Sequence, residues 1–143
     1  MMRAVVAVDG SHTSLRALRT FLEMAKEFAE APEVHAVAVV EYADLPAGLA
    51  KAPEGAPDLL GSEAETALAV AAELAGKLGV RLQTAILRGR TIDEVLEYAR
   101  RMKAQLLVLG THGRKGINRA ILGSTCEGVL RQADVPVLAV RDS

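Results

Sequence analysis

The feature that most constrains the fold is a repeated change in the spacing of apolar residues. Short apolar runs alternate along the chain with segments in which apolar residues recur every three or four positions. The short runs are typical of buried strands, and the longer spacing is typical of amphipathic helices. This alternation predicts an α/β fold, with an open parallel sheet covered by helices on both faces.

Five strands and four helices are predicted in strict alternation. The strands cover residues 3–8, 34–40, 80–87, 105–109 and 135–140, and the helices cover 13–29, 62–78, 91–102 and 124–133. Ser11 or Thr13 is expected to cap the first helix. Thr91-x-x-Glu94 and Ser124-x-x-Glu127 have the spacing of capping boxes, which predicts helix starts at those two positions.

One long segment, Glu41–Gly61, follows neither period. It holds Pro46, Pro53 and Pro57, three of the five prolines. A loop this long is unusual in a compact domain and is often a lid or a disordered segment. We expect residues 1–143 to form a single domain in which this loop is either a mobile surface insertion or a lid.

The charge balance and the single cysteine exclude several classes of protein. With 17 basic and 18 acidic residues the net charge is −1, which argues against a general nucleic-acid binder. No apolar run is long enough for a transmembrane helix, and the first ten residues lack a signal-peptide layout. One cysteine, Cys126, cannot form an internal disulfide, so we expect a cytoplasmic protein. Three scattered histidines show no metal-ligand spacing.

The last predicted strand differs from the third. Residues 136–140 are almost all apolar, whereas residues 80–87 alternate between apolar and polar types. If both strands lie at sheet edges, the last one is the edge more prone to pair with another strand. Either the Glu41–Gly61 loop covers it or a second copy of the chain pairs with it.

A group of glycines after the fourth strand suggests an anion site. Gly110 follows the strand directly, Gly113 and Gly123 come later, and Ser124 and Thr125 open the next helix. Glycines permit close approach of a ligand to the backbone, and a helix N-terminus offers free N–H groups to a phosphate. The spacing fits neither a Walker A loop nor a GxGxxG fingerprint. The alternative is a loop whose glycines serve only its turns.

Two further observations support a polyphosphate ligand. Arg114, Lys115 and Arg119 lie between the glycines and form a local positive group. Asp9 ends the first strand, and in an open parallel sheet ligands bind beyond the carboxyl ends of the strands. If the first strand lies beside the fourth, Asp9 can accept hydrogen bonds from ribose hydroxyls. The alternative for Asp9 is a turn or capping aspartate.

These residues resemble the universal stress protein family, specifically its ATP-binding branch. The family signature is G-x2-G-x9-G-[ST], and Gly110, Gly113, Gly123 and Ser124 match it in full. The resemblance covers the whole chain, including Asp9 and the closing PVLAV strand. It implies a flavodoxin-like five-stranded parallel sheet in the order 3-2-1-4-5.

The resemblance also implies a ligand, a metal and an assembly. Adenine and ribose would lie near Asp9 and Val39. The phosphates of ATP would lie on Gly110, Thr111, His112, Gly113, Gly123, Ser124 and Thr125. Mg²⁺ would bridge phosphate oxygens, and two copies would join through the last strand, residues 136–140.

The grounds for catalysis are weak. His112 is the one histidine of the loop and is expected to line the phosphate site rather than act as an acid or base. Cys126 fits an apolar helix stripe and is expected to be inert. We therefore expect an ATP-binding stress-response protein with slow or no hydrolysis, read by an unidentified protein partner. The alternatives are a weak ATPase and a nucleotide-independent dimeric interaction module.

A response-regulator receiver, which shares the architecture, is excluded. A receiver needs a phospho-acceptor carboxylate after the third strand. Here that strand ends in Leu87-Arg88-Gly89-Arg90, which contains no acid.

Overall fold

Strands and helices alternate along the chain as the apolar spacing predicts. The computed structural model describes residues 1–41, 59–112 and 121–142. The strands are β1 (Arg3–Ala7), β2 (Glu33–Val40), β3 (Leu82–Arg88), β4 (Leu106–Gly110) and β5 (Val137–Val140). The helices are α1 (His12–Ala25), α2 (Leu59–Lys77), α3 (Thr91–Arg101) and α4 (Ser124–Gln132).

All strand pairs are parallel, and the strand order is β3-β2-β1-β4-β5. The predicted fold class and strand order are therefore confirmed. Two helix boundaries differ clearly. Helix α2 begins at Leu59, inside the predicted Glu41–Gly61 loop, rather than at residue 62. The first helix ends at Ala25 rather than continuing to residue 29, because Glu27 and Phe28 donate to carbonyls three residues back and the chain tightens into turns.

Two apolar clusters cover the two faces of the sheet. Side chains of α1 and α2 pack on one face, around the fully buried Phe21, Leu18 and Leu22. Side chains of α3 and α4 pack on the other face, around Val95 and Val129. Since β1 and β4 are neighbours whose following helices cover opposite faces, a crevice opens between their carboxyl ends. This is the switch point at which open α/β sheets bind ligands.

The predicted helix starts at Thr91 and Ser124 are confirmed, but the capping boxes predicted there are wrong. Thr91 and Ser124 are the first helical residues, preceded by Arg90 and Gly123 as N-caps, and neither N-cap makes a side-chain capping bond. The backbone N–H of Thr91 instead donates to Glu41 Oε1 at 2.9 Å. The Ser11 cap is confirmed, since its Oγ accepts from the backbone N–H of Ser14.

Strands β3 and β5 lie at the two edges of the sheet, as predicted. All four residues of β5 are partly exposed. Most of the Glu41–Gly61 loop falls outside the described residues, so what covers β5 stays a prediction. Within the described ranges, none of the helices combines the length and apolar character that a membrane span requires.

A buried polar network lies near the start of β2. His35 is 3% exposed, and its Nε2 donates to Glu33 Oε2 at 2.9 Å. Its Nδ1 lies 2.8 Å from Tyr98 Oη, so in the neutral ring the tyrosine hydroxyl donates to it. Arg3 Nε lies 3.2 Å from the same Glu33 oxygen. Every hydrogen-bonding atom of this histidine ring thus has a partner at the end of the sheet opposite the crevice.

We expect Glu33 to make the protein sensitive to acid. The hydrogen bond from His35 and the positive charge of Arg3 lower the pKa of the Glu33 carboxyl below 4.5. A lowered folded-state pKa adds stability that is complete above 4.5 and is lost as the pH falls through the lowered value. In urea unfolding between about pH 5 and pH 3, the wild-type protein should lose stability more steeply than Glu33→Gln.

The matched control is Glu73→Gln. Glu73 pairs with Lys77 on the exposed face of α2, where an ion pair contributes little. This variant should follow the pH profile of the wild-type protein. Parallel profiles for wild type and Glu33→Gln would contradict the assignment.

Candidate functional site

The carboxyl ends of three adjacent strands form the floor of the crevice. In the register of the sheet, Ala7 is level with Val37, and Val6 is level with Val108. Two residues further along each chain segment, Asp9 follows the end of β1, Val39 is the residue before the last of β2, and Gly110 ends β4, all at the same edge of the sheet. The structure therefore brings these three predicted site residues to one edge of the sheet.

Asp9 lies in a tight turn between β1 and α1. Its Oδ1 accepts a hydrogen bond from the backbone N–H of Ser11 at 2.9 Å, and its own N–H donates to Ser14 Oγ at 3.2 Å. Gly10 has a φ of 85°, which favours glycine. The turn role considered for Asp9 is thus present. It leaves the ribose role open, because a carboxylate has several acceptor positions.

Asp9 also lines a cavity of about 570 Å³. The cavity lies between the turn after β1 and the first turns of α2, on the α1 and α2 side of the sheet. Its polar lining includes Ser14, Glu63 and Thr66, and its apolar lining includes Leu15 and Val70. Val39 lies on the opposite face, where it packs against the cluster of α3 and α4. The cavity is therefore lined by Asp9 but not by Val39, the other residue predicted to lie near the adenosine.

Gly110 is required by a close approach of α1. A Cβ atom at this position would lie 2.5 Å from Thr13 Cγ2 and 3.0 Å from the Thr13 carbonyl oxygen. Only glycine lets the end of β4 pass beneath the first turn of α1. This contact needs no ligand, so one signature glycine has a structural reason of its own.

Thr111, His112 and Gly123 form the base of the glycine-rich segment. The N–H of Gly123 donates to the Thr111 carbonyl at 2.7 Å. His112 Nε2 lies 2.6 Å from the Ile121 carbonyl oxygen, and Thr111 Oγ1 lies 3.2 Å from His112 Nδ1. A Cβ at Gly123 would lie 2.8 Å from the Thr111 carbonyl oxygen. The structure thus places the two ends of this segment side by side.

Ser124 and Thr125 open α4 next to that base. Because the N-cap Gly123 makes no side-chain capping bond, no N-cap side chain occupies the first-turn N–H groups. The fixed partial charges of such a helix start attract an anion. Gly113 and the basic residues Arg114, Lys115 and Arg119 lie outside the described residues.

Cys126 is buried in the core beneath α4 and is 1% exposed. Burial raises the pKa of its thiol. A raised pKa disfavours the reactive thiolate, which agrees with the inert role expected from the apolar stripe. Across the described ranges, no three His, Cys, Asp or Glu side chains are grouped to hold a metal ion.

Four residues shape the site in ways that were not predicted from the sequence. Ser14 fixes the Asp9 turn, Thr13 contacts Gly110, Glu41 caps α3, and the Ile121 carbonyl accepts from His112. The Ser11-x-x-Ser14 spacing could have indicated the first. The others depend on contacts between residues distant in sequence or on a backbone carbonyl, for which local sequence carries no signal.

Comparison with known proteins identifies relatives along the whole chain. The model of the universal stress protein family matches residues 1–141. The universal stress protein MJ0531 of Methanocaldococcus jannaschii is 37% identical over 97% of this chain and 81% of its own length.

Two solved structures share the fold. A universal stress protein in complex with cAMP aligns with a TM-score of 0.74 at 25% identity, over 99% of this chain and 98% of that one. The universal stress protein of Archaeoglobus fulgidus in complex with dAMP aligns with a TM-score of 0.73 at 24% identity, with the same coverage of 99% and 98%.

Proposed function

This chain belongs to the universal stress protein family, and we propose that it is an ATP-binding regulatory protein of that family. Nucleotide occupancy would order the glycine-rich segment and so change a surface read by a protein partner. The observation that carries the proposal is the juxtaposition of Thr111 and Gly123 at the uncapped start of α4. Backbone N–H groups at a helix start beside a switch-point crevice suit a phosphate.

The two structural relatives in complex with cAMP and dAMP support an adenine nucleotide as the ligand. In this proposal the adenosine lies near Asp9 and Val39. The phosphates lie on residues of the signature, namely Gly110, Thr111, His112, Gly113, Gly123, Ser124 and Thr125. Mg²⁺ would be held through the phosphate oxygens of the nucleotide.

We propose that hydrolysis is slow or absent. Phosphoryl transfer needs a group that orients the attacking nucleophile. Both ring nitrogens of His112, the histidine nearest the signature glycines, already lie within hydrogen-bond distance of Thr111 and Ile121. A ring held in this way is poorly suited to accept a proton from water at the phosphate.

The exposed sheet edge and the single cysteine support a proposal for the assembly and the location. We propose a cytoplasmic homodimer joined through residues 136–140, since β5 is an apolar edge strand whose four residues are partly exposed. Residues 1–143 would act as a single domain.

A second candidate is a dimeric interaction module that uses no nucleotide. It is favoured by the packing roles of two signature glycines, since Gly110 faces Thr13 and Gly123 faces the Thr111 carbonyl without any ligand. Such contacts would preserve the signature even after nucleotide binding had been lost.

Thermal unfolding with Mg²⁺ and ATP, ADP, AMP or GTP tests the proposed function. A ligand at 100 times its Kd adds about 2.7 kcal/mol of stability. For a chain of this size we expect ATP to raise the Tm by about 5–10 °C and GTP to raise it much less. The protein is first stripped of co-purified nucleotide. Folded protein with no shift for any nucleotide would favour the interaction module.

Substitutions of Asp9 test whether the adenosine part of the nucleotide lies beside this residue. Asp9→Ala removes both the turn contact to Ser11 and the proposed ribose acceptor, whereas Asp9→Asn keeps one oxygen for Ser11. If the carboxylate binds ribose, both variants should weaken ATP and adenosine alike. If the turn alone matters, Asp9→Asn should bind both ligands as the wild-type protein does.

A further inference from the structure

We infer that His112 is a positioning residue whose ring ties Ile121 to Thr111 and thereby helps to hold the start of α4, at Gly123, in place for a phosphate. The inference rests on the proposed function. It gives the ring a role in holding the neighbouring backbone, instead of direct contact with the phosphate.

Thr111 is the fixed side of this arrangement. It is 4% exposed, and its backbone N–H donates to the Val140 carbonyl at 3.0 Å, at the end of β5. Its own carbonyl accepts from the Gly123 N–H at 2.7 Å. Thr111 is therefore held by the sheet on one side and holds the start of α4 on the other.

The His112 ring extends the connection to Ile121, two residues before Gly123. Nε2 lies 2.6 Å from the Ile121 carbonyl oxygen, and a carbonyl can only accept, so Nε2 carries a proton. In the neutral ring Nδ1 then accepts from the Thr111 hydroxyl, 3.2 Å away. A ring engaged at both nitrogens holds Ile121 in place and offers no nitrogen to a phosphate.

The side chains of Ile121 and Leu122 do little to fix the chain before α4. Ile121 is 63% exposed and Leu122 is 45% exposed, so neither is fixed by burial. Among the contacts of the described residues, the hydrogen bonds from the His112 ring to Ile121 and from the Gly123 N–H to Thr111 therefore hold these residues against the sheet. Holding Ile121 and Gly123 against Thr111 before the ligand arrives removes part of the entropy cost of positioning the start of α4, and that saving strengthens phosphate binding.

Hydrogen exchange in the nucleotide-free protein tests the arrangement by itself. The Gly123 amide proton, bonded to Thr111, should exchange about tenfold faster in His112→Ala than in the wild-type protein. His112→Gln can place an amide N–H near the Ile121 carbonyl and should restore the protection to within about threefold. Unchanged exchange in His112→Ala, or failure of the glutamine to restore it, would overturn the inference even if no nucleotide binds.

Calorimetric titration with Mg²⁺-ATP and with adenosine tests whether the His112 ring strengthens phosphate binding. We expect His112→Ala to weaken ATP about tenfold and adenosine less than about twofold, and His112→Gln to bind ATP nearly as the wild-type protein does. Thr111→Val removes the hydroxyl donor to Nδ1, and its effect should not add to that of His112→Ala. Equal losses for adenosine and ATP, or wild-type ATP affinity in His112→Ala, would overturn the role of the ring. Absence of nucleotide binding to the wild-type protein would instead overturn the proposed function.

Discussion

Gly110→Ala should lower the Tm by about 10 °C, which corresponds to about 3 kcal/mol for a chain of this length. The added Cβ would lie 2.5 Å from Thr13 Cγ2 and 3.0 Å from the Thr13 carbonyl oxygen. The second contact is with backbone in the first turn of α1, so no rotamer change relieves it. Overpacking of this kind costs about 1–3 kcal/mol and sometimes more. Differential scanning calorimetry of the nucleotide-free protein measures the effect.

Two further variants isolate the cause. Thr13→Ser removes Cγ2 and keeps the hydroxyl, so adding it to Gly110→Ala should recover part of the lost stability. Gly76→Ala is the matched control, because a Cβ at Gly76 meets nothing within 4 Å. In an exposed helical position this change should stabilise the protein by about 0.5–1 kcal/mol. Equal effects of alanine at positions 110 and 76 would show that the contact with Thr13 is unimportant.

The strands and helices could be predicted from the sequence because each of them depends on signals that act locally. Apolar runs of strand length and helical spacing of apolar residues each depend on a few neighbouring positions. The order 3-2-1-4-5 came from the family resemblance, and the observed topology confirms it. The alternating polar pattern of the third strand and the apolar last strand both agree with their edge positions.

The helix caps were harder to predict, because the contacts that cap the helices are not all local in sequence. Thr91-x-x-Glu94 has the spacing of a capping box, yet the helix start is satisfied by Glu41, which is 50 residues earlier in the chain. At Ser124 the helix begins one residue earlier than a capping serine allows, since Gly123 is the N-cap. Spacing within one segment cannot report which carboxylate a distant strand end will bring to a helix.

The candidate site was predicted as a set of positions but not as a set of contacts. The order of strands alone brings Asp9, Val39 and Gly110 to one edge. Whether each glycine faces a ligand or another part of the chain depends on backbone distances. Gly110 and Gly123 both approach backbone atoms closely, so their presence has a structural cause besides any phosphate.

Gly123→Val should weaken ATP about a hundredfold while leaving adenosine within about threefold. Gly123 has φ −63° and ψ 153°, which other residues adopt readily, so the backbone conformation does not demand glycine. The close approach to Thr111 does demand glycine, because a Cβ would lie 2.8 Å from the Thr111 carbonyl oxygen and 3.3 Å from His112 Cα. A valine must push the start of α4 away from Thr111. To bind the phosphates, the variant must restore the position of the start of α4 against this overpacking and without the original hydrogen bond. That costs about 3 kcal/mol of binding free energy, which is a factor of about a hundred in affinity.

Leu122→Ala is the control for this experiment, since Leu122 is 45% exposed and its truncation leaves the base of the segment intact. It should bind ATP within about twofold of the wild-type protein. Calorimetric titration of both variants with Mg²⁺-ATP and adenosine gives the comparison, with circular dichroism to verify folding. A folded Gly123→Val that binds ATP at wild-type affinity would place the phosphates away from the start of α4. Gly123 would then serve only the packing against Thr111, as the nucleotide-independent module requires.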